Sequence, residues 1–356
     1  MSEFIYLRHP IATARLFSLR QWLRAKSTTD VPSGSFAKSV NADALAAMLA
    51  GELPRLPSSS NFEADLVVPV HGNPKDLKRM LACLEQCLSF HSGRIVFVDD
   101  GSPDTITIDI LQHFVREHAK AELIRNETPQ GVGVALNTGI TRCSAETVAI
   151  LNTDVRFSPA ALARLCRPLG DGIATRTPLT SNGFLCGLGH RATGFDVFFK
   201  SDEAVLDAVC FALAKTTTVP VPVGTGFAMA LNRDAFNEVD GFDTSTIGYG
   251  EDTRLSLMLS ARGWTHELAI DTFISHRGAG SFGASRRRLI RQASLKIVRD
   301  FSEFSGAIKA YLVADPAAAH SLAAMQVLAV HYPDTVQSIS PNNVFEVADQ
   351  TVSFHP

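Results

Sequence analysis

Residues 64–154 contain four apolar runs that alternate with helical patterns: ADLVVPVHGN (64–73), RIVFVDDGS (94–102), ELIR (122–125) and TVAILNTD (147–154). Regular alternation of strand and helix implies right-handed crossover connections and a mostly parallel sheet. Ligands of such sheets bind outside the carboxyl ends of the strands, so the polar residues that close each run are candidate binding residues. The sequence therefore predicts an α/β fold with a mostly parallel central sheet flanked by helices.

Three segments are predicted around this pattern. Residues 1–61 are interpreted as a helical N-terminal extension and linker with a basic helix at 10–26, and residues 62–284 as the α/β domain. Residues 285–356 are interpreted as a helical C-terminal extension, and their run at 285–299 holds six basic residues and no acid. Each basic helix is open to two interpretations, a solvated face packed on the domain or a surface that contacts an anionic membrane.

The composition excludes several classes of protein. The chain has 356 residues, 46% of them hydrophobic, which is enough for a large core. Its 33 Lys and Arg against 36 Asp and Glu give a net charge of −3, which disfavours a nucleic-acid partner. No run approaches the roughly 20 apolar residues of a membrane span. Residues 1–26 carry basic side chains throughout, so a signal peptide is not expected.

We therefore predict a soluble, cytoplasmic protein, with peripheral contact at the inner face of the cytoplasmic membrane left open. The cysteines agree with a reducing compartment, because the six are irregularly spaced and none forms a C-x-x-C pair. Cys83 and Cys87 lie one helical turn apart and could suit a metal, but no second Cys or His pair answers them. We interpret them as buried thiols.

Acidic residues close two of the apolar runs. Asp99 and Asp100 end the second run, and Asp154 ends the fourth, two residues after Asn152. Paired acids at this edge can hydrogen-bond a ribose, a base or metal-bound water, and divalent cations prefer such oxygen ligands. Asp104, by contrast, is predicted to cap the helix that follows it.

The glycines between these acids imitate a dinucleotide-binding fingerprint. Gly131, Gly133 and Gly139 precede Asp154 at nearly the required spacing. Pro129 interrupts the approach, however, and the third glycine falls late for the helix packing that the fingerprint requires. A dehydrogenase is therefore disfavoured.

Two glycine-rich stretches follow in the second half of the domain. GTGFAMAL (224–231) suits a strand whose glycines, Gly226 among them, let a ligand approach the backbone closely. GYGEDTRL (248–255) runs from a loop into a helix that begins at Glu251 and Asp252. Acids in a first helical turn also interact favourably with the helix dipole, so a structural role for them stays open.

The stretch ISHRGAGSFG (274–283) closes a further apolar run with a histidine. His276 is followed by Arg277 and a loop of glycine and serine. A histidine after a strand is usually structural, but one that closes a site already holding Asp154 is a credible metal ligand.

An ordered series of motifs crosses the domain: PVHGN, VDDGS, ALNTGI, LNTD, TPLTSN, GTGFAMALNR, VDGFD, GYGEDTRL, GW and SHRGAGSFG. In this order they resemble the family-2 glycosyltransferases, most nearly the bacterial subgroup that builds O-antigens and other surface polysaccharides. The resemblance runs from about Phe62 to Gly283 and continues into DFSEFSGAIKAYLVADP (300–316). It implies a GT-A (Rossmann-like) fold and an inverting, metal-dependent transfer from a nucleotide sugar.

The resemblance also implies roles for single residues. Asp99 and Asp100 match the acids that hold the nucleoside, and Pro69 and His71 would lie against the base. Asn137 matches a polar residue close to the nucleotide.

The resemblance implies a metal site and a catalytic base as well. Asp154 matches the last acid of the metal-binding D-x-D motif, and His276 matches the later metal-binding histidine. Asp252 matches the catalytic base, and the implied cofactor is a divalent cation, Mn²⁺ or Mg²⁺. The other candidates are Asn152 at the nucleotide and Asn182, Gly226, Glu251 and Arg277 in the donor or acceptor pocket.

Three positions depart from the family's pattern. Asn152 replaces the first D-x-D acid, which predicts weaker metal binding. His71 stands where tyrosine is common, and Arg254 follows the Glu-Asp pair where an acid or polar residue is more usual.

The predicted activity is an inverting transfer from a UDP- or dTDP-sugar to a hydroxyl of a glycan or lipid-linked saccharide in bacterial surface polysaccharide synthesis. Two alternatives stay open, a sugar nucleotidyltransferase and a non-catalytic scaffold that binds nucleotide sugars. The sequence HGNPKD (71–76) disfavours the first, because nucleotidyltransferases generally carry a phosphate loop rich in Gly and Arg or Lys there. A homo-oligomer is also left open.

Overall fold

The computed structural model describes residues 38–181, 183–189, 196–199, 203–245, 248–278, 286–331, 336–340, 345–348 and 351–354. The predicted N-terminal helix at 10–26, Asn182 and residues 279–285 lie outside these ranges. The first half of the chain contains α1 (Ala42–Leu49), β1 (Asp65–Val70), α2 (Pro74–Cys87), β2 (Ile95–Asp100), α3 (Thr105–Glu117), β3 (Ala121–Asn126), α4 (Val132–Ile140), β4 (Thr147–Leu151), β5 (Val155–Arg156), α5 (Pro159–Leu165) and β6 (Ile173–Leu179).

The second half continues with a similar mixture of elements. These are β7 (Asp196–Phe199), α6 (Glu203–Leu213), β8 (Thr218–Val221), β9 (Ala228–Asn232), α7 (Arg233–Asn237), α8 (Glu251–Ser260), β10 (Thr265–Phe273), β11 (Ser275–His276), α9 (Arg286–Asp300), α10 (Phe304–Ala314), α11 (Ala318–His331), β12 (Val336–Ser340), β13 (Phe345–Ala348) and β14 (Thr351–Phe354).

Eight strands form the central sheet in the order β3-β2-β1-β4-β9-β6-β10-β8. The pairs β3–β2, β2–β1, β1–β4 and β6–β10 are parallel, whereas β9 runs antiparallel to both of its neighbours and β8 antiparallel to β10. The amino end of β9 therefore lies at the same edge as the carboxyl ends of β1, β2 and β4. This mainly parallel sheet, flanked by helices, confirms the predicted fold class.

Both faces of the sheet are buried, which explains why its strands are apolar throughout. Side chains alternate along a strand, so Leu66 and Val68 of β1 join one apolar cluster while Val67 joins the other. Gly139 lets α4 approach β1, because a Cβ on it would lie 2.4 Å from Cγ1 of Val67. Gly139 therefore packs α4 against β1, although it falls late for the dinucleotide-binding fingerprint.

The helices on either side of the predicted domain share its core. Leu45 and Met48 of α1, together with Leu322 and Leu328 of α11, belong to the same apolar cluster as one face of the sheet. The boundaries at 61 and 284 stay predictions. No single helix within the described ranges has the length and apolar composition of a membrane-crossing helix, although α10 and α11 together, with a bend of 53°, meet both measures.

Helix α9 carries the predicted basic run and has two unlike sides. Arg288, Arg291 and Leu295 are exposed, whereas Ala293 and Ile297 are buried. This arrangement agrees with either interpretation of the run, so membrane contact stays a prediction.

The cysteines are free thiols. Cys87 is buried and donates to the carbonyl oxygen of Cys83 at 3.2 Å, and burial raises the pKa of the Cys87 thiol to about 12. Nowhere among the described residues do three or more His, Cys, Asp or Glu side chains form a group placed to hold a metal. The structure thus agrees with the prediction of a buried thiol at Cys87.

Candidate active site

The loops that follow β1 and β2 are hydrogen-bonded to each other. Nδ1 of His71 lies 2.8 Å from the carbonyl oxygen of Asp100, and the amide of Gly72 donates to Oγ of Ser102 at 2.7 Å. Gly72 adopts a φ of +63°, which favours glycine. Pro69 lies within β1 beside Val98 of β2. The predicted base-contacting residues thus border one rigid corner of the sheet edge.

Asp100 organises the chain that enters α4. Its Oδ1 accepts hydrogen bonds from Nδ2 of Asn126 and from the amide of Gln130, both at 2.8 Å. Its Oδ2 accepts a third from the amide of Gly131, also at 2.8 Å. Both carboxylate oxygens are therefore engaged in fixing the loop that follows β3.

Asp99 has a different environment although it is the neighbouring residue. Its side chain is 1% exposed, and Oδ1 accepts a hydrogen bond from the amide of Ser102 at 2.9 Å. Oδ2 is buried without a hydrogen-bond partner in the described structure, 3.5 Å from Nε of Arg125. Asp99 thus retains an acceptor oxygen at the edge where the nucleoside is predicted.

Asn137 joins α4 to a loop far along the chain. Its Nδ2 donates to the carbonyl oxygen of Phe242 at 2.9 Å, and its Oδ1 accepts from the amide of Phe242 at 2.8 Å. Gly241 fits against it, because a Cβ there would lie 2.6 Å from Oδ1. The amide group is used for this structural link, and its predicted proximity to the nucleotide stays a prediction.

The predicted metal ligands are brought together by a short second sheet. β11 pairs antiparallel with β5, so that His276 lies opposite Val155, the residue after Asp154. Nε2 of His276 lies 3.4 Å from Oδ1 of Asp154, and the amide of Gly278 donates to Oδ2 at 3.1 Å. The His276 ring stacks on Phe227, with centroids 4.8 Å apart and an angle of 18°.

The charge on Asp154 is stabilised by these contacts. Burial alone would raise the pKa of this carboxyl, but hydrogen bonding and attraction from His276, with the Gly278 amide, outweigh it and hold the pKa below its usual range. A carboxylate beside an imidazole is a donor set that suits Mn²⁺. The two residues therefore fit a divalent cation.

Asp252 lies in the first turn of α8, after Gly250 with its φ of +85°. Its Oδ2 accepts a hydrogen bond from the amide of Gly226 at 2.8 Å, and its Oδ1 accepts from the amide of Thr253 at 2.7 Å. A Cβ on Gly226 would lie 3.2 Å from Cβ of Asp252, so glycine is needed there for this approach. Burial raises the pKa of Asp252 despite the hydrogen bonds.

Glu251 is a buried acid beside Asp252. The residue is only 5% exposed, and its Oε1 has no hydrogen-bond partner in the described structure. Burial, aided by the neighbouring Asp252, raises the pKa of Glu251 to about 7 against the lowering effect of backbone hydrogen bonds. Two acids with unusually weak ionisation therefore open α8.

One dipeptide contacts both Asp252 and the predicted metal ligand His276. Gly226 donates to Asp252, and the next residue, Phe227, stacks on His276. The carbonyl oxygen of Phe227 also accepts from the amide of Asn152 at 2.8 Å. Gly226 and Phe227 enter the antiparallel strand β9, so the reversed direction of that strand is what unites the two halves of the site.

Two arginines have partners that sequence reasoning did not find. Arg277 places Nη1 2.8 Å from both carboxylate oxygens of Asp76, in the first turn of α2. Arg254 is buried and pairs with Asp243 at 2.6 Å and Asp300 at 2.7 Å. It therefore fixes α8 to the end of α9.

Comparisons with known proteins agree with this geometry. Residues 65–240 match the family model Glycosyl transferase family 2. The pre-mycofactocin glycosyltransferases of Mycobacterium tuberculosis strains CDC 1551 / Oshkosh and ATCC 25618 / H37Rv are each 28% identical over 215 residues. The match covers 59% of this chain and 42% of those relatives, so the chain spans less than half of their length.

Two solved structures share the fold. One is mannosyltransferase PcManGT from Pyrobaculum calidifontis in complex with GDP-Man and Mn²⁺, with a TM-score of 0.52 and 16% identity over 88% of this chain and 87% of that one. The other is GalNAc-T7 with UDP, GalNAc and Mn²⁺, with a TM-score of 0.53 and 15% identity over 76% of this chain and 57% of that one. Residues 65–240 are therefore similar to a glycosyl transferase family 2 domain, and the fold is GT-A.

Proposed function

We propose that this chain transfers a sugar from a nucleoside diphosphate sugar to a hydroxyl acceptor, with inversion at the anomeric carbon. One observation carries the proposal: the adjacent residues Gly226 and Phe227 contact both acidic parts of the site. The Gly226 amide donates to Asp252, and the Phe227 ring stacks on His276, which lies beside Asp154. A cation-binding pair and a general base on one edge are what transfer from a sugar diphosphate requires. The similarity of residues 65–240 to a family 2 domain supports the same reaction class.

Asp154 and His276 would hold Mn²⁺ or Mg²⁺ in this proposal. Such a cation supplies charge neutralisation for the departing diphosphate when it is bound. Asn152 replaces a carboxylate at the neighbouring position, so the protein contributes one negative charge instead of two. We expect weaker metal binding than in a site with two acids, and tighter binding when the donor diphosphate is present.

Asp252 would accept the proton of the acceptor hydroxyl as that oxygen attacks. Burial raises the pKa of Asp252, which makes the carboxylate a stronger base than a solvated aspartate. The Gly226 amide fixes the position of Oδ2, and Oδ1 is held only by the adjoining Thr253. One base acting on a single in-line displacement inverts the anomeric centre, and no carboxylate nucleophile is needed.

The donor in this proposal is a UDP- or dTDP-sugar. Asp99 retains a buried acceptor oxygen, Oδ2, that suits the N–H of a pyrimidine or a ribose hydroxyl. The acceptor is a glycan or lipid-linked saccharide of a bacterial surface polysaccharide, as the resemblance implies. The relatives' name favours a second candidate acceptor, pre-mycofactocin, on the strength of 28% identity over 215 residues.

A donor screen tests the proposal. UDP-, dTDP- and GDP-sugars are incubated with the full chain with and without Mn²⁺, and the release of nucleoside diphosphate is measured. We expect metal-dependent release of nucleoside diphosphate from one pyrimidine donor. The rate of release should fall at least tenfold in Asp154→Ala. It should not change in Asp109→Ala, which removes an exposed acid of α3.

The products separate the alternatives. Release of pyrophosphate in place of nucleoside diphosphate indicates a nucleotidyltransferase, and nucleotide binding without turnover indicates a scaffold. Metal-dependent release from GDP-sugars alone contradicts the pyrimidine assignment but leaves the reaction class intact. Product analysis with a lipid-linked saccharide and with pre-mycofactocin then distinguishes the two acceptors.

A further inference from the structure

Asp76 is a buried carboxylate in an unusual place. It lies in the first turn of α2, where acids normally interact with the helix dipole while exposed to solvent. Its side chain is nevertheless only 4% exposed. Oδ2 accepts a hydrogen bond from Nδ2 of the capping residue Asn73 at 2.6 Å. Burial of a carboxylate requires a partner cation, and Asp76 has one from a distant part of the chain.

That partner is Arg277, the residue directly after the predicted metal ligand His276. Nη1 of Arg277 lies 2.8 Å from each carboxylate oxygen of Asp76. The arginine's own backbone is equally constrained, because its amide donates to the carbonyl oxygen of Asp154 at 3.2 Å. The amide of Gly278 donates to Oδ2 of the same aspartate at 3.1 Å.

Other contacts also hold this segment in register. The β5–β11 pairing is only two residues long, and a short ladder supplies few hydrogen bonds. Ser181 adds a hydrogen bond from its Oγ to the carbonyl oxygen of His276 at 2.9 Å. An ion pair at Arg277 is therefore well placed to fix the position of the imidazole.

We infer that the Asp76–Arg277 ion pair is a positioning element for the divalent-cation site. It holds residues 276–278 against Asp154, so that the imidazole and the carboxylate face one cation. The inference rests on the proposed function, since it assigns these residues to the metal site named there. It also gives Arg277 a role through its neighbours, in place of the direct contact expected in the donor pocket.

The experiment titrates Mn²⁺ into the full chain, alone and with saturating UDP, dTDP or GDP, and follows free Mn²⁺ by electron paramagnetic resonance. We expect Asp76→Asn and Arg277→Met each to weaken Mn²⁺ binding by about tenfold, as loss of an outer partner of a metal ligand does. The double variant should be no weaker than the weaker single variant, because both changes break one interaction.

Arg79→Met is the matched control. Arg79 Nη1 lies 3.6 Å from Oδ1 of the same Asp76, but on α2 itself, so its loss does not touch residues 276–278. We expect wild-type Mn²⁺ affinity in this variant. Arg277→Lys keeps the charge without the planar fork and should restore part of the affinity. Thermal unfolding without metal identifies any variant that has lost its fold. If one has, the Mn²⁺ affinity of Arg277→Lys is compared with that of the wild type instead.

Each outcome decides a distinct point. Wild-type Mn²⁺ affinity in both single variants overturns the inference and leaves the proposed metal site intact. Equal weakening in Arg79→Met also overturns it, because any change at Asp76 would then suffice. If the wild-type chain binds no Mn²⁺ with or without a nucleotide, the proposed metal site fails and this inference fails with it.

Discussion

Two pairs of adjacent acids border the site, and the protein treats them in opposite ways. Asp99 and Asp100 end β2, where four N–H donors reach their carboxylate oxygens, three of them on Asp100. Glu251 and Asp252 open α8, where burial raises the pKa of both and one oxygen of Glu251 has no hydrogen-bond partner in the described structure. The residue types are nearly the same and both pairs accept hydrogen bonds, but in the pair that opens α8 burial outweighs those bonds.

The difference shows what separates a structural carboxylate from a reactive one. Hydrogen bonds to the charged form favour it, whereas burial favours the protonated form. Three donors fix Asp100 within its loop, and at Asp252 burial outweighs the hydrogen bonds. Adjacent acids in a sequence therefore do not by themselves indicate catalysis, and the balance between burial and the neighbouring N–H groups decides it.

The largest expected effect comes from removing the base of the second pair. Asp252→Asn keeps the side-chain volume and an oxygen that can accept from the Gly226 amide, but it cannot take a proton. We expect kcat to fall by roughly 10³-fold, within the range that a general base contributes. The measurement is steady-state release of nucleoside diphosphate with the donor found in the screen, with Mn²⁺ and nucleotide binding recorded in parallel.

The control for this variant is Asp104→Asn, at the N-cap of α3. Asp104 accepts from the amide of Thr107 at 2.8 Å, and asparagine caps helices about as well as aspartate. We expect unchanged kcat there. Retention of more than a tenth of the wild-type kcat in Asp252→Asn would contradict the assignment of the base.

A loss of stability is expected when the donors of the first pair are left unpaired. Asp100→Ala removes the acceptor for the amides of Gln130 and Gly131 and for Asn126. We expect the free energy of unfolding to fall by about 3 kcal/mol, the scale for unsatisfied buried donors to a charged group. Urea denaturation at neutral pH measures the free energy of unfolding, with Asp109→Ala as the control at an exposed acid. A loss below about 1 kcal/mol in Asp100→Ala would refute the structural role assigned to Asp100.

An effect of similar size, visible only through pH, is expected at Glu251. The pKa of Glu251 is about 7 in the folded protein, above the ordinary 4.5. The stabilising contribution of Glu251 to the free energy of unfolding is therefore complete below pH 4.5 and is lost as the pH rises through 7. Relative to Glu251→Gln, the wild type should therefore lose about 3 kcal/mol of unfolding free energy between those limits. Urea denaturation from pH 4.5 to 8 follows the difference between the two proteins.

Glu63→Gln serves as the matched comparison for this titration, because Glu63 is exposed. Its unfolding free energy should differ from that of the wild type by an amount nearly independent of pH. A constant difference between the wild type and Glu251→Gln over the same range would show that the Glu251 carboxyl ionises normally in the folded protein.

Much of the fold follows from the sequence because its signals are local. The four apolar runs became β1 to β4 within three residues at each end, and α8 begins at Glu251 as the glycine-to-acid transition predicts. Alternating apolar strands and helices leave few ways to bury both faces of a sheet. Asp154 and His276 could also be paired in advance, because each closes a run at the same edge.

The rest of the site depends on partners that lie far along the chain. Residues 224–231 were predicted to form a strand, yet β9 begins only at Ala228. The amides of Gly224, Thr225 and Gly226 instead donate to side chains of Ser256, Thr177 and Asp252. No local sequence pattern predicts that these backbone amides donate to distant side chains. A loop of this kind therefore resembles a strand in sequence.

The same limit applies to the side chains that were given other roles. Asn137 is bonded to the backbone of Phe242, and Arg254 to Asp243 and Asp300. Asp76 was missed altogether, because its only signal was an acid in a first helical turn, which helix-dipole chemistry already explains. Tertiary hydrogen bonds and ion pairs thus decide the roles that residue type leaves open.

The reversed direction of β9 also has a consequence for how the protein folds. β1 to β4 are neighbours in sequence, but β9 pairs with β4 only after the chain has continued through β6 and α6. Such long-range pairings form slowly, and a chain on the ribosome folds from its N-terminal end. A nascent chain therefore carries the half of the site proposed to bind the nucleoside before Asp252 has been synthesised, and the site is complete only once β9 has joined the sheet.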